Sequence, residues 1–120
     1  MSDFGKMVDE KCLLFAARVV NLCRFLDKER KGRFATDQLV RSGMSIGANF
    51  AEAECAISDN DFLAKLYISL KECNETLYWL RLLRTVNDID ENSSILFSRM
   101  VKKSSVSLSP LLKPNIKTWK

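Results

Sequence analysis

Four carboxylates are the side chains of this 120-residue chain whose type and spacing come nearest to a reactive site: Glu52 and Glu54 in one segment, Glu72 and Glu75 in another. In the core of a helical bundle, such a set could hold a pair of metal ions. Bundle di-iron sites, however, take a Glu-x-x-His motif from each of two helices, and the chain contains no histidine. The glutamates therefore point to hydrogen bonds or charge pairs at a helix or subunit junction. No metal or other cofactor is expected.

Nucleophilic and general acid-base catalysis fare no better. Without histidine a serine or cysteine lacks its commonest base, and neither a nucleophile elbow nor a Ser-x-x-Lys pair stands in a suitable context. Cys12, Cys23, Cys55 and Cys73 could form two disulfides or a zinc site, but they are widely spaced and include no Cys-x-x-Cys pair. Each sits among apolar neighbours at a helical period, so buried free thiols are the better reading. The run Arg41 to Glu54 offers glycines and hydroxyls, but no Lys-Ser/Thr pair follows to make a phosphate loop. Neither an enzyme nor a small-molecule substrate is expected.

What that run does offer is a helix surface nearly free of side chains. If it is helical, Gly43, Gly47 and Ala51 stand one above another at successive turns. Each glycine inside a helix costs about 1 kcal/mol against alanine, so a compensating close approach of another helix is expected. The expected partner is the third helix.

The elements that position these residues follow from a repeat of threes and fours. Val8, Cys12, Phe15, Val19, Leu22 and Leu26 form one seam, flanked by Leu13, Ala16, Val20 and Cys23, and predict a helix over 7–31 closed by a glycine. Leu39, Gly43, Ile46, Phe50, Ala53 and Ile57 predict a second over 36–56 with Thr36 as N-cap. Leu63, Leu66, Leu70, Cys73, Leu77 and Leu80 predict a third over 59–87, opened by a Ser58–Asp61 capping box. Phe97, Val101, Ser104, Leu108 and Leu111 predict a fourth over 93–112, kinked near Pro110 and followed by a flexible basic tail over 113–120. Short connections between four such helices predict one all-α domain, an antiparallel up-down-up-down four-helix bundle. No apolar run is long enough for a membrane span and no signal peptide is visible, so a cytoplasmic protein without membrane partners is expected.

Charge is distributed unevenly. Residues 1–34 carry eight basic and five acidic side chains, and residues 91–120 carry six basic and one acidic. Lys28, Arg30, Lys31 and Arg33, with Arg99, Lys102, Lys103, Lys113, Lys117 and Lys120, are thus the candidate contacts for RNA or DNA. An antiparallel bundle could bring the two groups to one side, and copies of the chain in an oligomer would multiply them. On the third helix Tyr67, Tyr78 and Trp79 add more aromatic surface than a lone helix can hide. With Gly43, Gly47, Ala51, Glu52, Glu72 and Glu75, they are the candidate helix-packing or oligomer interface.

Two long motifs, Gln38-Leu-Val-Arg-Ser-Gly-Met-Ser-Ile-Gly-Ala-Asn-Phe-Ala-Glu-Ala53 and Ser69-Leu-Lys-Glu-Cys-Asn-Glu-Thr-Leu-Tyr-Trp-Leu80, stand on either side of Asp61-Phe62 and Lys65-Leu66. In that order they resemble the bacterial four helix bundle proteins encoded in intervening sequences of large-subunit ribosomal RNA genes. The accessory variability proteins of diversity-generating retroelements are relatives. The likeness covers about residues 8–112, and Phe50, Cys73 and the basic tail depart from the usual pattern. It implies an antiparallel four-helix bundle, often assembled as a homopentameric barrel, without known enzymatic activity; relatives in the retroelement branch bind nucleic acid and a reverse transcriptase through a basic surface.

Two functions of different class follow as expectations. One is a homo-oligomeric adaptor that binds nucleic acid through a basic surface. The other is a protein-interaction scaffold that binds a partner enzyme through the aromatic side of the third helix.

Overall fold

A hydroxyl opens the first helix. In the computed structural model, which describes residues 2–103, Ser2 Oγ accepts the Gly5 N–H at 3.0 Å and α1 runs Asp3–Lys28. It begins ahead of the apolar repeat because Ser2 satisfies a donor that the repeat cannot supply. Its buried residues, Gly5, Val8, Cys12, Phe15, Val19, Cys23 and Leu26, keep the steps of three and four. Leu13, in the predicted flanking seam, is instead 70% exposed.

The end of α1 is a Schellman turn. The Arg30 N–H donates to the Asp27 carbonyl at 3.1 Å and the Lys31 N–H to the Leu26 carbonyl at 2.8 Å. The left-handed residue that closes it is Arg30, at φ 57°, rather than the glycine; Gly32 is left-handed in its own right at φ 67°. Gly32 also has a steric reason, since a Cβ there would stand 2.8 Å from Leu83 Cδ2.

Helix α2 runs Thr36–Glu54, and Thr36 is not its cap. The cap position is Ala35, which makes no side-chain bond, and the entry is a tight turn with the Ala35 and Thr36 N–H groups on the Gly32 carbonyl at 2.8 and 2.9 Å. That turn buries Thr36 instead of leaving it at the helix mouth. Helix α3 runs Asp59–Thr85. Ser58 Oγ accepts the Asp61 N–H at 3.1 Å and Asp61 Oδ2 accepts the Ile57 N–H at 3.3 Å, a reciprocal capping arrangement. A second Schellman turn ends α3, with Asn87 left-handed at φ 63° and the Asp88 N–H on the Leu83 carbonyl at 2.9 Å. The fourth helix, α4, begins at residue 91, where Asp90 Oδ1 accepts the Ser93 N–H at 2.6 Å, and is described to residue 103. Its predicted continuation to 112, the kink and the tail lie outside the described residues.

The four helices form an antiparallel up-down-up-down bundle, with α2 packed on both α1 and α3. Phe97 of α4 meets Phe15 of α1 edge to face at 6.4 Å between ring centres, so α4 closes the ring against α1. Phe15, Phe50, Leu26, Leu39, Ile46, Leu63, Leu66, Leu80 and Leu83 are fully buried in the core. Burying each such side chain contributes about 1.5–3 kcal/mol, which is what offsets two glycines in α2.

Candidate functional site

Two different seams hold α2 in place, and both are built from small residues. Toward α1, a Cβ on Gly43 would lie 3.1 Å from Val19 Cγ1, and one on Gly47 would lie 2.9 Å from Cys12 Cβ. The glycines thus admit α1, not α3, which corrects the expected pairing. The third member of the expected strip, Ala51, is exposed.

Toward α3 the seam is made of hydroxyls. Ser42, Ser69 and Thr76 are buried; Ser69 Oγ donates to the Ile46 carbonyl at 2.7 Å, and Thr76 Oγ1 lies 2.9 Å from Ser42 Oγ. Each is small enough to let the backbones close and polar enough to bond across the gap. Sequence reasoning missed this seam, although Ser69, Cys73 and Thr76 stand at steps of four and three like any core row.

Over the hydroxyl seam lies a charged clasp. Arg41 Nη1 donates to Glu72 Oε2 at 3.2 Å, Arg41 Nη2 pairs with Glu75, and Arg41 Nε reaches Gln38 Oε1 at 3.2 Å. Trp79 Nε1 donates to Glu75 Oε2 at 3.1 Å. The indole donor, with Arg41 behind it, holds the Glu75 carboxyl below its ordinary range; the carboxylates raise Arg41 in turn. Glu52 is apart from this group and pairs with Lys65 at 3.5 Å. Tyr78 stacks edge-on against Trp79 at 5.1 Å and is 54% exposed, while Tyr67 is half-buried against the core.

The basic residues form two groups at different levels along the bundle. Lys28, Arg30, Lys31 and Arg33 stand exposed at the α1–α2 corner, beside the α3–α4 connection. Arg99, Lys102 and Lys103 are exposed on α4, where Lys103 shares a small groove with Lys11, Leu14, Phe15 and Met100, and Arg18 reaches Met100 Sδ at 3.4 Å. Lys11 and Lys28 are about 25 Å apart along α1 at 1.5 Å per residue. The antiparallel register therefore sets the α4 cations against the first half of α1, and sequence reasoning missed Lys11 and Arg18 as their neighbours. Lys113, Lys117 and Lys120 lie outside the described residues.

Among the described residues no cluster of cysteine and carboxylate side chains is arranged to hold a metal ion. Burial, with nearby acidic groups, pushes the Cys12 thiol up to about 11 and those of Cys23 and Cys73 to about 12. Such thiols are protonated and unreactive at neutral pH. Cys55, expected with the others in the core, is exposed at the end of α2, because the helix stops at Glu54 and turns it outward. No helix of the described residues is long and apolar enough to cross a membrane.

Comparison with known proteins bears on what this arrangement serves. A family model for 23S rRNA-intervening sequence proteins matches residues 7–109. Among solved structures, the chain is similar to a protein of unknown function from the S23 ribosomal protein family of Bacteroides thetaiotaomicron, at 40% identity and a TM-score of 0.88. The match covers 92% of this chain and 98% of that one. No curated protein matches.

Proposed function

The chain belongs to the 23S rRNA-intervening sequence protein family, and from that premise we propose that it is a cytoplasmic, non-enzymatic bundle that assembles with copies of itself and binds nucleic acid. A homopentamer, the assembly implied by the resemblance, is the proposed form. The reading is carried by one observation, the exposure of two groups of cations. Lys28, Arg30, Lys31 and Arg33 stand exposed at the α1–α2 corner, and Arg99 and Lys102 stand exposed on α4. A ring of subunits would repeat those cations, and each phosphate contact releases roughly one counterion. Exposed Leu13, Leu14, Tyr78 and Leu96 supply apolar surface for association.

An electrophoretic shift of structured RNA by the intact chain, repeated over a salt series, tests the reading. Binding that weakens steeply with salt is expected, and no shift at low salt by an assembled oligomer would overturn it. The exposed Tyr78 edge favours a second reading, a scaffold for a partner enzyme. Co-purification that survives nuclease treatment would favour that scaffold over the nucleic-acid adaptor.

A further inference from the structure

Ile57, at the turn between α2 and α3, is 94% exposed, more than any other large apolar side chain among the described residues. The turn around it is fixed, with its N–H on Asp61 Oδ2 at 3.3 Å and Ser58 capping α3. Residues 52–61 hold four carboxylates and no cation. Glu52 is taken by Lys65 and Asp61 by the cap. Glu54 and Asp59 share one surface with Ile57 and meet no cation among the described residues. The turn is a rigid acidic tongue with one aliphatic tip.

A surface of the opposite character lies on the other edge of the bundle. Between α1 and α4 a groove of about 110 Å³ is lined by Leu14, Phe15 and Met100 with Lys11 and Lys103 beside them, and no carboxylate lines it. Asp9 and Glu10 precede Lys11 but stand about 160° and 100° round the helix from it. Arg18 reaches Met100 Sδ at 3.4 Å. Neither Arg18 nor Lys11 is ion-paired among the described residues. The groove is far smaller than a small-molecule pocket, and its apolar floor offers nothing to a phosphate. It has room for one aliphatic side chain.

We infer that the two surfaces are halves of one contact between copies of the chain. Ile57 of one copy seats on Leu14, Phe15 and Met100 of the next, and Glu54 and Asp59 meet Lys11, Arg18 and Lys103. The inference rests on the assembly reading above and names its interface. Helices α1 and α4 form one edge of the antiparallel bundle and α2 and α3 the opposite one, so no chain reaches its own groove. The contact is therefore head-to-tail, the kind that can close into a ring. Gly47 lies level with Cys12, and Glu54 is about 10 Å further along α2, so tilting neighbours to that extent brings tongue and groove level.

Sedimentation velocity of the intact chain and its variants tests it, with circular dichroism to follow helicity. Ile57→Asp spoils the tongue and Leu14→Asp the groove, at side chains 94% and 54% exposed, so each subunit stays folded. Each variant alone is expected to sediment as a single chain. Mixed, they share one intact contact, from Ile57 of the Leu14→Asp copy to the groove of the Ile57→Asp copy. A two-chain species, and none larger, is expected. Lys11→Glu changes one exposed charge without touching the apolar part and should weaken assembly roughly tenfold or more. Lys28→Glu, at the far end of α1, should leave assembly unchanged. Wild-type mass in Ile57→Asp, Leu14→Asp or Lys11→Glu would overturn this contact while leaving the assembly reading intact. So would a mixture that stays single-chain. A wild-type chain that sediments alone would overturn both.

Discussion

Gly47 of α2 faces Cys12 of α1 so closely that a Cβ on the glycine would stand 2.9 Å from Cys12 Cβ. The obstacle is a carbon bonded to backbone, which cannot swing aside as the end of a long side chain could. Gly47→Ala therefore forces the helices apart and should destabilise the protein by about 1–2 kcal/mol, even after the gain in helix propensity. Gly43→Ala meets Val19 less tightly, its methyls at 3.1 and 3.2 Å and its Cβ at 3.4 Å, so the two effects nearly cancel and the change stays within about 0.5 kcal/mol. Urea unfolding of both variants checks the order, and Gly47→Leu should fail to fold or assemble. Equal midpoints for Gly47→Ala and Gly43→Ala would contradict this account.

How much of this was legible beforehand can be argued from α2 itself. The steps of three and four specified four helices and their seams, because core burial imposes that period wherever a helix lies on a neighbour. They did not specify which neighbour. Ser42 and Gly43 are adjacent in sequence and point about 100° apart around a helix, so one row faced α3 and the next faced α1. Both rows consist of small residues, and only the packed bundle distinguishes them. The register of α4 against α1 was equally hidden, since sliding an antiparallel helix by one turn preserves the repeat while moving Lys103 past a different residue of α1.

The Arg41–Glu75 pair predicts a pH dependence. Glu75 has a lowered pKa in the folded chain, chiefly through the Trp79 indole and then Arg41. A lowered folded pKa contributes stability that is complete above the ordinary carboxylate range and is lost as pH falls through the folded value. Both side chains are partly exposed, 46% for Arg41 and 37% for Glu75, so water screens the pair and its worth is about 0.2–1 kcal/mol. Glu75→Gln should lower stability by that amount at pH 7 and by nothing at strongly acid pH. A difference that persists unchanged into acid would remove the charge from the explanation.

Asp88 is the strut of the basic corner. Its carboxylate accepts the Gly32 N–H at 2.9 Å from a residue 56 positions away, and hydrogen bonds to charged groups contribute about 1.5–3 kcal/mol. Asp88→Ala should cost about that much, with Asp88→Asn intermediate because its amide oxygen can still accept. Hydrogen exchange at the Gly32 amide reads the same bond directly, and an unchanged rate in Asp88→Ala would show that the bond does not hold the turn.

Arg30 separates stability from binding. Its φ of 57° strains any residue with a Cβ, so Arg30→Gly should raise stability by about 0.5–1 kcal/mol. The same change deletes a corner cation and should lower the salt slope of nucleic-acid binding by about one. A thermal melt and a salt titration on the one variant should therefore move in opposite directions. A lowered melting temperature would argue against the strained turn.

Sedimentation velocity of the intact chain mixed with a structured RNA at low salt tests assembly and nucleic-acid binding together. The predicted result is one boundary heavier than either component, whose protein mass is several times that of a single chain and which dissolves as salt is raised. Protein sedimenting as a lone chain, with the RNA in a boundary of its own, would contradict the account.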